Sequence, residues 1–149
     1  MSDNQAIAAA IAARFATATP PAGQAALKFC TEKLESGLGG SLPALFVFPP
    51  DEPDIQLAAS TRVSLQSYPV RFYLTPVPYD PADFTLIYGW QKAFQDVILT
   101  QTQLGLGGTV AFARLASSAV REIGYGGFSH LGLDMVVQVK ISEPVQPVA

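Results

Sequence analysis

Charge is what this sequence has least of. Asp, Glu, Lys and Arg together make up 14% of its 149 residues, against about 25% in an average soluble domain, while 49% of the chain is hydrophobic and mean hydropathy is +0.27. Either small polar residues and alanines cover the surface, or part of it is buried against other subunits, whose interface centres exclude charge. Assembly is the favoured reading, because the excess apolar residues include large ones in strand patterns as well as the alanines of the first helix. The nine Lys and Arg are scattered singly and net charge is −3. A nucleic-acid footprint needs clustered basic side chains to displace counterions, so that class is set aside. Histidine and cysteine occur once each, as His130 and Cys30. A lone cysteine forms no internal disulfide and reads as a small apolar strand residue. General bases and metal sites draw on histidines, cysteines or convergent carboxylates, so no catalytic, cofactor-binding or metal-ligating residue is expected. No apolar run approaches the roughly 20 residues that span a bilayer, and Asp3 stands where a secretory signal would be basic. The expectation is one domain over residues 1–149, kept in a cytosol-like compartment away from membranes, with residues 1–3 and 143–149 frayed.

What is present is a strand at 128–141. Leu131, Leu133, Met135, Val137, Val139 and Ile141 alternate with His130, Gly132, Asp134, Val136, Gln138 and Lys140, and only a pleated strand delivers the first set to one face. The Gly126-Gly127 pair ahead of it suits a tight hairpin turn back to the segment ending at Ile123.

The remaining elements follow from local signals. Residues 3–17 read as an amphipathic helix capped by Asp3, with Ile7, Ile11 and Phe15 one turn apart and Ala8 and Ala12 beside them. Pro20 and Pro21 end it. Residues 25–34 are taken as a strand, although AALKFCTEKLE would also make a helix. The run LPALFVF at 42–48 is a buried strand between a Gly-rich loop at 36–41 and Pro49-Pro50. Three prolines and three acids make 49–54 a loop. Residues 62–75 read as a bent strand: Val63 and Leu65 share one face, while Tyr68, Val70, Phe72 and Leu74 take the other, which needs an extra residue near Ser67 where Pro69 is tolerated. Asp80 as N-cap, Pro81 and Asp83 open a helix expected to reach about Gln103. Its apolar stripe is Ile87, Trp90, Phe94, Val97, Gln101 and Leu104, with Gly105 as the C-terminal cap. In 109–123, the small residues at 116–119 suggest a bend or a close backbone approach. The predicted order, α-β-β-β-α-β-β, makes an α+β fold: a mostly antiparallel sheet rich in hairpins, with the N-terminal helix and the long central helix on one face.

Several motifs invite a chemical reading. His130 and Asp134 share a strand face, which invites an acid and its orienter, but a solvated or interface histidine is the better reading. Asp51, Glu52 and Asp54 offer hard oxygens for calcium, although their spacing matches no calcium loop strictly and the prolines restrict convergence. The glycines of LGLGG at 104–108 follow a helix instead of opening one, so a cap and turn replaces the phosphate loop. Leu38, a large apolar residue in the loop ESGLGGS, has no packing reason to be there and is a candidate partner contact; a floppy hairpin tip is the other reading.

The Ala-rich first helix (AIAAAIAARF), the strand running into prolines and acids (LPALFVFPPDEPD), the strand SYPVRFYLTP, the helix LIYGWQKAFQDVIL and the closing hairpin GYGGFSHLGLDMVVQVKI resemble, in their order, the tail terminator (tail completion) proteins of long-tailed, non-contractile bacteriophages. The resemblance spans nearly the whole chain and rests on element order, with no signature motif. It implies a structural, non-enzymatic virion protein: a hexameric ring capping the head-proximal end of the tail tube, stopping tube polymerisation and meeting the head's completion proteins, made in the host cytoplasm. DNA would pass the lumen without specific binding. On that implication, Leu38, Asp51, Glu52 and Asp54 are expected at axial contacts, and Tyr68 and Arg71, taken as strand-edge residues, at lateral ones. The alternatives are another neck ring, a connector or stopper, or a small-molecule-binding or enzymatic α+β domain.

Overall fold

The computed structural model describes residues 4–24, 26–31, 42–50, 54–58, 61–100, 102–106, 110–125 and 127–144. In chain order its elements are α1 (Asn4–Ala16), β1 (Phe29–Thr31), β2 (Ala44–Val47), β3 (Asp54–Ala58), β4 (Thr61–Pro76), α2 (Pro81–Leu99), β5 (Val110–Tyr125) and β6 (Phe128–Pro144). The fold is α+β. One six-stranded sheet runs β1-β2-β4-β6-β5, with β3 added on β4. Four of its five pairings are antiparallel, and β1 pairs β2 in parallel.

Period two in β6 does what it requires: the six alternating apolar residues from Leu131 to Ile141 are all buried. Both helices cover that face, where α1 buries Ile7, Ala8, Ile11, Ala12 and Phe15 and α2 buries Ile87, Trp90, Phe94 and Ile98. Phe15 meets Phe94 edge-on at 5.2 Å, while Trp90 and Phe94 lie 5.2 and 5.1 Å from Phe72 of β4. Each such fully buried side chain contributes roughly 1.5–3 kcal/mol through the water it no longer orders. Arg14, in the last turn of α1, donates from Nη2 to the Val97 carbonyl (3.0 Å) and to Thr100 Oγ1 (3.1 Å). A cation thus closes the C-terminal end of α2, where carbonyls lack helical partners. At its other end the Asp83 carboxylate accepts from the Asp80 N–H at 2.9 Å, as the sequence indicates.

Five differences from the sequence reading have local causes. First, β3 is an additional strand: Asp54 opens it instead of closing a loop, and Ile55 and Leu57 alternate with Asp54 and Gln56 over too short a span to stand out. Second, β1 has three residues, and its parallel pairing replaces the expected hairpin. Third, β4 has no parity break at Ser67. Ser64 and Gln66 are buried on the same side as Tyr68, Val70 and Phe72, and their polarity disguised the alternation. The register shift lies instead between Tyr73 and Thr75. Pro69 is tolerated because β2 pairs only from Val70 onward and β3 only up to Leu65; beyond those ladders its carbonyl accepts from the Phe48 N–H at 2.8 Å, and no donor is asked of its nitrogen. Fourth, α2 stops at Leu99 with Thr100 as cap, and Leu104 and Gly105 (φ +54° and +72°) form a separate turn. Gly105 is therefore not the helix cap, and the buried stripe ends on Ile98 instead of passing to Gln101, which lies outside the described residues. Fifth, β6 continues to Pro144 because Thr61 and Arg62 of β4 pair with its last two residues. The expected bend in β5 is a bulge between Leu115 and Ser117.

Candidate interaction surfaces

The face of the sheet turned away from the helices is built by the other parity of the same strands. Cross-strand partners share a face, so Arg71 lies with Asp134, Tyr73 with Gly132, Ile123 with His130, and Arg114 with Gln138. One end of this face is aromatic. Phe46 stacks on Tyr125 (5.4 Å, 11° between planes), and Tyr73 stands edge-on to both and to His130 at 5.5 Å. Ala44, Phe46, Tyr73 and Ile123 are buried there. Burial pushes the Tyr73 phenol above its ordinary value of 10.0; Arg71, which hydrogen-bonds it, opposes the shift, and Tyr125 and Asp134 reinforce it. The Arg71 guanidinium also lies over the Phe48 ring at 5.4 Å. The other end is polar. Arg114 donates from Nε and Nη2 to Gln138 Oε1 at 3.0 and 2.8 Å, and Arg114 and Lys140 are exposed; Arg121, also exposed, lies opposite Gly132 at the aromatic end.

A second surface runs along one flank. At 100° per residue, positions 84, 88, 95 and 99 of α2 fall within an arc of about 60° beside the buried stripe. Phe84, Tyr88 and Leu99 on this arc are 36%, 57% and 73% exposed. Gln91, at the arc's inner border, donates from Nε2 to the Ser118 carbonyl (3.1 Å) and Oγ (3.0 Å), fixing the arc over β5. At the Leu99 end a cleft of about 220 Å³ opens between Gln95, Ile98 and Leu99 and residues 112–115. A third apolar spot is the β5–β6 hairpin tip, where Phe128 is 73% exposed and Val77 is fastened alongside through its N–H on the Ser129 carbonyl (3.0 Å).

Of the residues expected at contacts, Leu38, Asp51 and Glu52 lie outside the described residues. Asp54 opens β3 opposite Leu65. Arg71 is corrected as an edge residue: it is paired on both sides, with Phe46 of β2 and Asp134 of β6, and is half-buried on the helix-free face. Tyr68 is corrected: β4 is an interior strand, Tyr68 is fully buried under the helices, and its hydroxyl donates to Gln66 Oε1 at 2.8 Å. His130 is corrected as well, from a solvated or interface residue to one 5% exposed, because its ring packs edge-on against Tyr73 beside Ile123 at the aromatic end of this face. Four residues along a strand separate it from Asp134 by about 13 Å, too far for acid and orienter to meet directly. Among the described residues its Nδ1 has no hydrogen-bond partner. Cys30 points its Sγ at the Ala12 carbonyl, 3.0 Å away, a packing role. Among the described residues no three His, Cys, Asp or Glu converge as a metal site, and no helix is long and apolar enough to cross a membrane. Sequence reasoning missed the aromatic end; the signal was Arg71 and Tyr73 alternating with Val70 and Phe72.

No family model matches the chain, and no curated protein matches it. What is established is the class of fold: an α+β domain with both helices on one face of a mixed sheet, carrying apolar side chains on its flank and hairpin tip.

Proposed function

We propose that this chain is a ring-forming structural protein of the tail-terminator kind. Six copies close around the head-proximal end of a phage tail tube, halt addition of tube protein, and offer their outer surface to the head's completion protein while DNA passes through the hole. The observation that carries this reading is the distribution of exposed apolar side chains. Phe84, Tyr88 and Leu99 lie along one flank and Phe128 with Val77 at the hairpin tip, on a domain only 14% charged. A ring subunit stacked on a tube needs contacts in two directions, sideways to its copies and axially to its neighbours, and separate apolar surfaces supply them. Six identical head-to-tail contacts close without leaving sticky ends. The element order that resembles terminators supports the same reading, and the separation of His130 from Asp134 removes that pair as the acid and orienter of an enzymatic alternative.

The test is tube extension. Tail tubes incubated with the purified chain and then given fresh tube protein should stop elongating at one end. Unimpeded growth at both ends would refute the terminator function, and rings that form but ignore tubes would mark another component of the neck.

A further inference from the structure

The outer edge of β5 is covered along its first residues by the turn after α2, where the Thr102 carbonyl accepts from the Ala113 N–H at 2.6 Å. From Arg114 to Tyr125 the strand has β6 on one side and, among the described residues, no strand on the other. Such an edge presents main-chain donors and acceptors that only another extended segment can pair in series. The exposed arc of α2 overhangs it: Gln91 bonds Ser118, and Tyr88 stands one turn before Gln91. A strand added at the usual spacing of about 4.8 Å would lie in the shelter of Tyr88, with every second side chain turned toward the helix.

The opposite side of the same sheet holds a segment that fits. β3, which among the described residues pairs only with β4, is an edge strand of five residues, DIQLA, in which Ile55 and Leu57 alternate with Asp54 and Gln56. β3 is antiparallel to β4, β4 to β6, and β6 to β5, so β3 and β5 run in opposite directions. Copies related by rotation about an axis along the strands keep those directions, and their junction is antiparallel, the more stable pairing. Charge fixes the register. Arg121 is exposed on β5, and Asp54 opens β3 behind the acids Asp51 and Glu52. Setting Asp54 opposite Arg121 puts Ile55 at Val120, Gln56 at Ala119 and Leu57 at Ser118. Ile55 and Leu57 then take the helix-side parity of Val120 and Ser118, and Asp54 and Gln56 the parity of Arg121 and Ala119.

We propose that β3 of a second copy adds antiparallel to the open edge of β5 in this register, joining the sheets of neighbouring subunits into one continuous band. This rests on the ring reading and names its lateral contact. It is heterologous, β5 of each copy receiving β3 of the next, as a closed ring requires.

The test uses the full chain with Cys30→Ser, carrying Gln56→Cys and Ala119→Cys together. Under mild oxidation in the presence of tail tubes, it should give a ladder of covalent multimers ending in a closed species, while a Gln56→Cys, Lys92→Cys control should stay uncrosslinked. In parallel, Arg121→Glu should cut ring formation at least tenfold with the monomer's Tm unchanged, and adding Asp54→Arg should restore it. Rings that assemble normally while the Gln56–Ala119 pair stays reduced and Arg121→Glu has no effect would overturn this contact and leave the ring reading standing. Absence of any ring with the parent protein would remove both.

Discussion

Gly132 is the position where one added methyl group is most damaging. It lies in the first third of β6 opposite Tyr73, and a Cβ built there would land against the Phe72 carbonyl oxygen, far inside contact distance, with Ile123 Cδ1 at 3.3 Å. The obstacle is main chain, so no rotamer change relieves it. The sheet must open at the register shift between Tyr73 and Thr75, loosening Phe72 from the Trp90 and Phe94 rings behind it. Overpacking of this kind costs typically 1–3 kcal/mol, and a rigid backbone neighbour places Gly132→Ala at the upper end, about 3 kcal/mol. In a domain of this length that lowers Tm by roughly 6–12 °C. The matched control is Gly124→Ala on β5, where a Cβ meets nothing within 4 Å. That change should be neutral or stabilise by up to about 1 kcal/mol, through the lost freedom of the unfolded chain. Urea titration and calorimetry of both variants measure the difference. A Gly132→Ala protein within about 0.5 kcal/mol of the parent would refute the close approach of β4 to β6 and the bulge argument with it.

Trp90→Ala should cost about 3–5 kcal/mol, since it removes the ring that spans Phe72 and Phe94 in a fully buried site; a urea midpoint moved by less than a third of that would contradict the packing. Arg14→Ala should cost about 1–3 kcal/mol by uncovering the Val97 carbonyl at the end of α2, and hydrogen exchange should show the loss confined to the last turn of that helix. Tyr68→Phe leaves the buried Gln66 oxygen without its donor and should cost about 1–3 kcal/mol, while leaving ring assembly intact, because Tyr68 is core and not interface. Stability should also fall in alkali. Tyr73 has a raised pKa when folded, so above pH 10 the unfolded chain loses the phenol proton first; that state gains, and Tyr73's contribution, complete below the unfolded value, is lost as pH rises through the folded one. Comparing the parent with Tyr73→Phe by denaturation at pH 8 and pH 10.5 isolates it, and an identical slope in both proteins would refute the burial.

Strong periodicity was readable and weak contrast was not. β6 announced itself through six apolar residues at period two, α1 through the spacing of Ile7, Ile11 and Phe15, and the start of α2 through its capping chemistry; the expected cap of α1, Asp3, lies outside the described residues. β4 misled, since Ser64 and Gln66 occupy its buried face and its bulge lies at Tyr73–Thr75, beyond the Pro69 that pointed to Ser67. Tyr68 was consequently assigned to an edge that is in fact interior. His130 followed the polar parity of β6, yet that parity includes the aromatic end of the helix-free face, which depends on β2 and β5 coming together across the sheet. β3 could not be seen because five residues of modest hydrophobicity gain a strand's identity only from their pairing with β4. The exposed arc of α2 was legible in principle: Phe84, Tyr88 and Leu99 sit at helical spacing, but so does the core stripe beside them, and only the fold tells which stripe is covered.

The central claim is that this chain closes into a ring on a tube end. Electron micrographs of the purified protein mixed with tail tubes test it most directly. A six-fold annulus at one end of each tube, and at the same end every time, is the predicted result; bare tube ends beside dispersed monomers at saturating protein would contradict it.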